Sequence, residues 1–305
     1  MIPIIDAHHH LWEPGEGRHP WMRAAAPKFM GDTAPVCQPY QIEDFRHEAQ
    51  SGTGLRLAGS VHLQCGRNPA LPAEETAWIQ AQADRSGLPV AIVGYANLAD
   101  PSLDVLLDAH AGSAGFRGVR QMLNWHDTDE RLRLCDRGDY LRDARWLAGF
   151  ARLGERGLSF DLQLNPWQLA DAHAAASAHP GTVVVINHAG LPFGGDAARR
   201  AWRTGMAALA GLPQVHVKFS GMGMVDPLWS AGSVQPLFDT LLQCFGPERM
   251  MFASNFPIDR LYRRYGEVYA QYAALCRHLG EAERDALFQA NARRVYRIDT
   301  PLRQA

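Results

Sequence analysis

The sequence predicts an α/β fold: a closed (β/α)8 barrel forming one domain over residues 1–305, with a long loop after its first strand. Three observations predict it. Eight short apolar runs rich in Val, Ile, Leu and Phe alternate with helix-like stretches, the pattern of a parallel α/β protein. Several runs are continuously apolar, such as Val183-Val184-Val185-Ile186, which suits strands buried on both faces. No glycine-rich phosphate fingerprint follows the first run, where a doubly wound dinucleotide fold would carry one.

The first strand is expected at residues 2–6 and leads into Asp6-Ala7-His8-His9-His10. The connection to the second strand, at 57–63, is abnormally long. It holds Trp12, Pro14, Pro20, Trp21, Pro27, Phe29, Pro35, Pro39 and Tyr40, and only residues 42–50 look helical. Such a loop in a compact domain is usually functional, often a lid, and here it leaves the end of a strand where barrel active sites form. A helix over 71–85 ends at Ser86-Gly87, and a strand follows at 90–98. Asp100-Pro101 predicts an N-cap and first turn for a helix over 103–110. A strand at 116–123 precedes a helix over 142–156 that ends at Gly157. The fifth strand, at 159–164, is followed by a helix over 168–179 that stops at Pro180-Gly181. The last three strands are expected at 182–187, 215–219 and 250–253.

With 305 residues, 47% of them hydrophobic, the chain can bury a large core. Thirty basic residues against 32 acidic ones give a formal net charge of -2, with no basic block for nucleic acid and no acidic tail. A small-molecule substrate is the expectation. No apolar run approaches the roughly 20 residues that span a bilayer, and the start is too quickly polar for a signal peptide. Cys37, Cys65, Cys135, Cys244 and Cys276 lack metal-type spacing and read as reduced thiols of a cytoplasmic protein. The sequence leaves the oligomeric state open.

Three places carry chemistry. On a regular strand His8 and His10 share a face with Asp6, so two imidazoles would enter the barrel mouth, fit for a zinc-type metal or for acid–base and oxyanion work. In Val185-Ile186-Asn187-His188-Ala189-Gly190 a histidine follows an apolar strand, with small neighbours that let a ligand approach. In Met250-Met251-Phe252-Ala253-Ser254-Asn255-Phe256-Pro257-Ile258-Asp259 a strand ends in an amide and then a carboxylate. Asp259 reads either as a base or as an N-cap for a helix starting near Arg260.

These residues resemble the amidohydrolase superfamily, in the branch of sugar-acid lactonases and pyrone-dicarboxylate lactonase. Ile5-Asp6-Ala7-His8-His9-His10-Leu11-Trp12 is similar to that branch's D-x-H-x-H-x-W. Phe116-Arg117-Gly118-Val119-Arg120 is similar to its F-R-G-I/V-R, and Val217-Lys218-Phe219-Ser220-Gly221 to its V-K-L-S-G. With His188 and Ser254-Asn255-Phe256-Pro257, the matches run in order from residue 5 to 259.

The resemblance implies a hydrolase that opens a small lactone, with a sugar-acid (aldono) lactone as the first expectation. The departures bear on its mechanism. Metal-dependent members carry a histidine at the end of the fifth strand, where Gln163 stands, and an aspartate at the end of the eighth, where Asn255 stands. Neutral amides are poor zinc ligands. At most His8, His10 and His188 remain for a metal, so the expectation is that no metal is required, with zinc as the alternative. Arg120, by strand parity a better inward candidate than Arg117, would with His8 and His10 orient the carbonyl and carry the oxyanion. His188 is the first choice for general base and Asp259 the alternative; Asn255 would orient substrate or water. Trp12, Trp21, Gln64, Trp125, His126 and Gln163 are candidates for shaping the pocket, and Lys218 lies either at the mouth or in an ion pair. Two other readings stand beside the lactonase: a metal-dependent hydrolase or decarboxylase of the same superfamily, and a non-catalytic ligand-binding barrel.

Overall fold

The computed structural model describes residues 1–22, 31–50 and 54–298. Pro27 and Phe29 of the long connection lie outside the described residues. Eight parallel strands run in sequence order: β1 (Ile2–His9), β2 (Leu55–Leu63), β3 (Ala91–Tyr95), β4 (Phe116–Met122), β5 (Ser159–Gln163), β6 (Val184–Ile186), β7 (Val215–Phe219) and β8 (Met250–Phe252). The sheet closes where His9 bridges Phe256 in parallel, with His10 N donating to the Phe256 carbonyl at 2.7 Å and Asn255 N to the His8 carbonyl at 2.8 Å. This is the (β/α)8 barrel. Each strand sits where the apolar runs place it, apart from ends.

The helices are α1 (Ile42–Gln50), α2 (Pro72–Ser86), α3 (Leu103–Ala111), α4 (Ala144–Glu155), α5 (Leu169–Ala178), α6 (Asp196–Ala210), α7 (Met222–Val225), α8 (Ala231–Phe245), α9 (Tyr265–Leu275), α10 (Glu281–Asp285) and α11 (Asn291–Val295). Their ends follow local chemistry. Pro72 opens α2, and Gly87 closes it with φ 79°, donating its N–H to the Ala83 carbonyl. Asp100-Pro101 is not the cap and first turn of α3. It forms a turn before it, in which Asp100 accepts from the Ser102 backbone at 2.7 Å. β3 stops short of residue 98 because the Leu98 N–H turns to the Gln121 side chain at 3.2 Å. Asp259 lies inside a 3-10 turn, Ile258–Leu261, rather than at its start.

Inside the barrel, Ile5, Ala7, Val61, Val93, Val185 and Met251 meet Ala292, Val295, Tyr296 and Ile298, which arrive from the C-terminal segment and fill one end. The outer core packs Phe150, Trp146, Phe238 and Tyr272 of the helices against the outward strand faces. All five cysteines are free. No described helix is long and apolar enough to cross a membrane.

Candidate active site

Parallel strands deliver their C-terminal ends to one rim, and the polar residues there converge. His10, Gln64, Arg120, Gln163, His188 and Asn255 all line one cavity of about 510 Å³, with Trp12 and Trp21 of the long connection on its wall. His8 lies buried against it. Its Nε2 is 3.3 Å from His10 Nε2, and the Arg120 guanidinium donates to it at 3.4 Å. His10 Nδ1 donates to the Leu63 carbonyl at 2.8 Å. Arg120 also donates to Gln163 Oε1 at 3.4 Å and to the Gln64 carbonyl. The rings of His8 and His188 stand 4.6 Å apart.

His188 is aimed by an unusual backbone. It and the next three residues, Ala189, Gly190 and Leu191, all have positive φ, between 49° and 70°. Such a left-handed run is costly for residues with a side chain and persists only where its surroundings hold it. Leu191 N donates to the His188 carbonyl at 2.8 Å, and Trp202 Nε1 to the Ala189 carbonyl at 2.7 Å. His188 Nδ1 meets Ser220 Oγ of the loop after β7 at 3.0 Å. Asn255 also has positive φ, 59°, which asparagine tolerates better than most residues.

Asp6 does not share a face with His8 and His10. The β1–β2 register shifts between Asp6 and His9, and the carboxylate turns the other way. It accepts from the backbone of His8 and Ser254 and from the Tyr265 hydroxyl of α9 at 3.1 Å. It therefore binds β1, the β8 loop and α9 together.

Below the histidines lies a second polar group. Asp161 of β5 pairs with Lys218 of β7 at 2.5 Å, and both side chains are fully buried. Asn187 donates to Asp161 at 2.9 Å and Tyr296 at 3.0 Å. Burial lowers Lys218 to about 8, against the pull of Asp161. Burial first, then the positive charges of Lys218 and Arg120, hold His8 and His188 well below the usual imidazole range, and His10 falls likewise. All three are neutral at pH 7. Arg120, lowered to about 10 by burial, stays cationic.

Asp259 lies off the cavity wall. Burial raises its carboxyl to about 8, against hydrogen bonds from Asn255 and the Gly221 and Gly223 backbone. Trp125 and His126 are likewise absent from the lining. Trp125 is covered by Arg133 and bonds Asp127, while His126 Nδ1 accepts from the Asp129 backbone. Lys218 is in the barrel interior, in the ion pair. Sequence reasoning missed Tyr95, Met122, Leu134, Met224 and Ile258 on the wall and Ser220 behind His188. Strand parity with Arg120 could have found Met122; the loop residues carry no periodic signal.

Could these residues hold a metal? His10 and His188 each have Nδ1 bonded to protein oxygen, which turns Nε2 inward as in metal-ligating histidines. His8 Nδ1 is buried without a partner. The ligand atoms of these three imidazoles do not all lie within 4.8 Å of one another, no carboxylate joins them and Arg120 stands beside His8, so the rings would have to draw together to hold a zinc ion. A separate group, His62, Cys65 and Glu75, brings three ligand atoms within 4.8 Å of one another. There Glu75 already accepts from the Cys65 and Arg67 backbone at 2.6 and 2.8 Å and from His62 at 3.2 Å. Although burial opposes it, His62 and those N–H groups hold Glu75 down to about 2. The cluster ties down the loop after β2.

The model of the family described as Amidohydrolase matches residues 5–298. An uncharacterized protein, y4mH of Sinorhizobium fredii, is 38% identical over 97% of this chain and 99% of its own. An L-fucono-1,5-lactonase of Burkholderia multivorans is 28% identical over 97% of each chain. A crystal structure of an amidohydrolase from Burkholderia multivorans with bound zinc superposes with a TM-score of 0.79 at 27% identity, over 96% of this chain and 99% of that one.

Proposed function

The chain belongs to the amidohydrolase family, and from that membership and its strand-end site we propose that it opens a small lactone by hydrolysis. One observation carries the reading: a buried guanidinium and three neutral imidazoles meet at one cavity, which is the equipment ester hydrolysis needs. The lactonase relatives support the substrate type, and a sugar-acid lactone of cytoplasmic carbohydrate metabolism is the finer candidate.

The lactone carbonyl seats against Arg120, His8 and His10. As water attacks, negative charge develops on the carbonyl oxygen, and the Arg120 cation, held in place by His8, stabilises it. His188, with Nδ1 held by Ser220, takes the water proton on Nε2. The tetrahedral intermediate collapses, the ring C–O bond breaks, and the same proton passes from His188 to the leaving alkoxide. Asn255 orients the water, and Asp259 behind it fixes Asn255. These steps use the chain's own residues, but the zinc in the Burkholderia multivorans neighbour supports the metal alternative and not the metal-free expectation. A zinc ion, when bound, would be held by His8, His10 and His188 and would polarise the carbonyl as a Lewis acid.

The experiment is a pH-indicator assay of purified protein on a panel of lactones, with His188→Ala beside the wild type. Turnover in the wild type and its loss in the variant are expected. Failure to open any lactone would return the chain to the ligand-binding reading that Asn255 suggests.

A further inference from the structure

The cavity is chemically two-sided. Its free hydrogen-bonding groups lie on the floor formed by the strand ends. There Gln64 Nε2 and Arg120 Nε are buried without partners, beside His10, His188 and Asn255. The walls formed by the loops are different. Trp12, Trp21, Pro69, Pro72, Leu134 and Ile258 present hydrocarbon and ring surface. The polar ends of both tryptophans are already used: Trp12 Nε1 donates to the Gln38 carbonyl at 2.8 Å and Trp21 Nε1 to the Cys65 carbonyl at 2.6 Å.

Most charged groups that reach the wall are engaged as well; Glu130 is the exception, largely exposed and 3.6 Å from Arg133. Arg131 grips Asp129 with two nitrogens, at 2.9 and 2.7 Å. Arg133 donates to the carbonyls of His126 and Asp127. Asn68 is bonded to Glu74 and to the Ala70 backbone. Glu75 is saturated by His62 and backbone N–H groups. Tyr95 adds a mostly buried phenol.

At the Trp12, Trp21, Leu134 and Ile258 surfaces a fully hydroxylated ligand would exchange water for hydrocarbon, with Tyr95 and Glu130 alone offering further polar atoms nearby among the described residues. An apolar arm gains there. We infer that the substrate is a lactone whose ring carbonyl lies on the polar floor and whose ring carries a hydrocarbon substituent running up the Trp12–Trp21–Leu134 wall. The inference rests on the lactone reading and narrows it. Among sugar-acid lactones, those with an alkyl or aryl arm outrank those hydroxylated at every carbon.

Two measurements test it. In the first, kcat/KM is compared for δ-valerolactone, δ-nonalactone and glucono-1,5-lactone. The butyl arm of the nonalactone should raise kcat/KM on the order of 10²-fold over valerolactone, about fourfold for each buried methylene, and place it above gluconolactone. In Leu134→Asn the nonalactone-to-valerolactone ratio should fall by about fourfold or more. The second measurement is binding, followed by tryptophan fluorescence, of the matching lactams, piperidin-2-one and 6-butylpiperidin-2-one, which resist hydrolysis. The butyl lactam should bind tighter by a similar factor. Equal affinity of the two lactams, or gluconolactone as the best substrate, would overturn the inference even if lactones are opened. Tighter binding of the butyl lactam with no lactone turned over would support the apolar arm and sink the lactone reading alone.

Discussion

His8 Nε2 and His10 Nε2 face each other at 3.3 Å. A carbonyl can only accept, so the Leu63 oxygen fixes the His10 proton on Nδ1 and leaves a lone pair on Nε2. Arg120 donates to His8 Nε2, so when the pair is neutral two lone pairs face each other and the space between them calls for a proton or an electrophile. The two rings thus form a preset receptor for whatever brings positive character to the mouth of β1. Arg120, 3.4 Å from His8, limits how much charge can enter.

Removing a member of this receptor should therefore damage chemistry before stability. His8→Ala and His188→Ala should each lower lactone kcat by at least about 10²-fold, the scale of losing an oxyanion donor or an acid–base group. Steady-state kinetics with circular dichroism on the same samples checks this. Near-native turnover in both variants would refute the assigned roles.

Metal dependence is separable by two experiments. Dialysis against a strong chelator should leave most of the lactone activity in place; complete loss restored by zinc would overturn the metal-free steps. Asn255→Asp places a carboxylate at the end of β8, beside the imidazoles. That variant should bind zinc more tightly than the wild type in an equilibrium titration, since carboxylate is a far better zinc ligand than amide.

Asp259 predicts a particular pH dependence. Its carboxyl is raised by burial from 3.8 to about 8, so the folded chain keeps a proton that the unfolded chain loses above about pH 4. The stability it contributes is full below about pH 4 and is lost as pH rises towards about 8. Asp259→Asn mimics the protonated acid. Relative to that variant, wild-type stability should fall by up to about 1.4 kcal/mol per pH unit between pH 5 and 8. Urea denaturation across that range measures it, and parallel curves for the two proteins would contradict the assignment.

The Asp161–Lys218 pair predicts an asymmetry between single and double substitution. Lys218→Met leaves a fully buried carboxylate supported only by Asn187 and Tyr296, and should cost about 3–5 kcal/mol. Combining it with Asp161→Leu should recover most of that loss. If the double variant is less stable than the single one by denaturant titration, the pair contributes more than mutual neutralisation.

The barrel was legible because each strand writes its burial locally. Val183-Val184-Val185-Ile186 needs no partner to be read as a strand buried on both faces. The gathering of His8, His10, Arg120, Gln163, His188 and Asn255 was legible for a related reason: all six stand at the ends of apolar runs, and a parallel barrel sends those ends to one rim. What stayed hidden is non-local. The register shift that turns Asp6 towards Tyr265 depends on β2, and nothing in Asp6-Ala7-His8 announces it. The partner of Lys218 lies 57 residues away, and only the lone Asp161 inside an apolar strand could have pointed to it. Trp125 and His126 looked like pocket residues by position after β4, but their loop folds onto itself through Asp127, Asp129 and Arg133.

Tyr296 reaches Asp161 across 135 positions of chain. The carboxylate in the fifth strand therefore waits for a hydroxyl made much later in the chain, and the interior it faces cannot close around satisfied polar groups until residues 291–298 have docked. During synthesis all eight strands would emerge before this plug exists. Assembly of the chain is thus tied to an event of high contact order, slow by nature and dependent on protection of an unfinished core while the rest emerges.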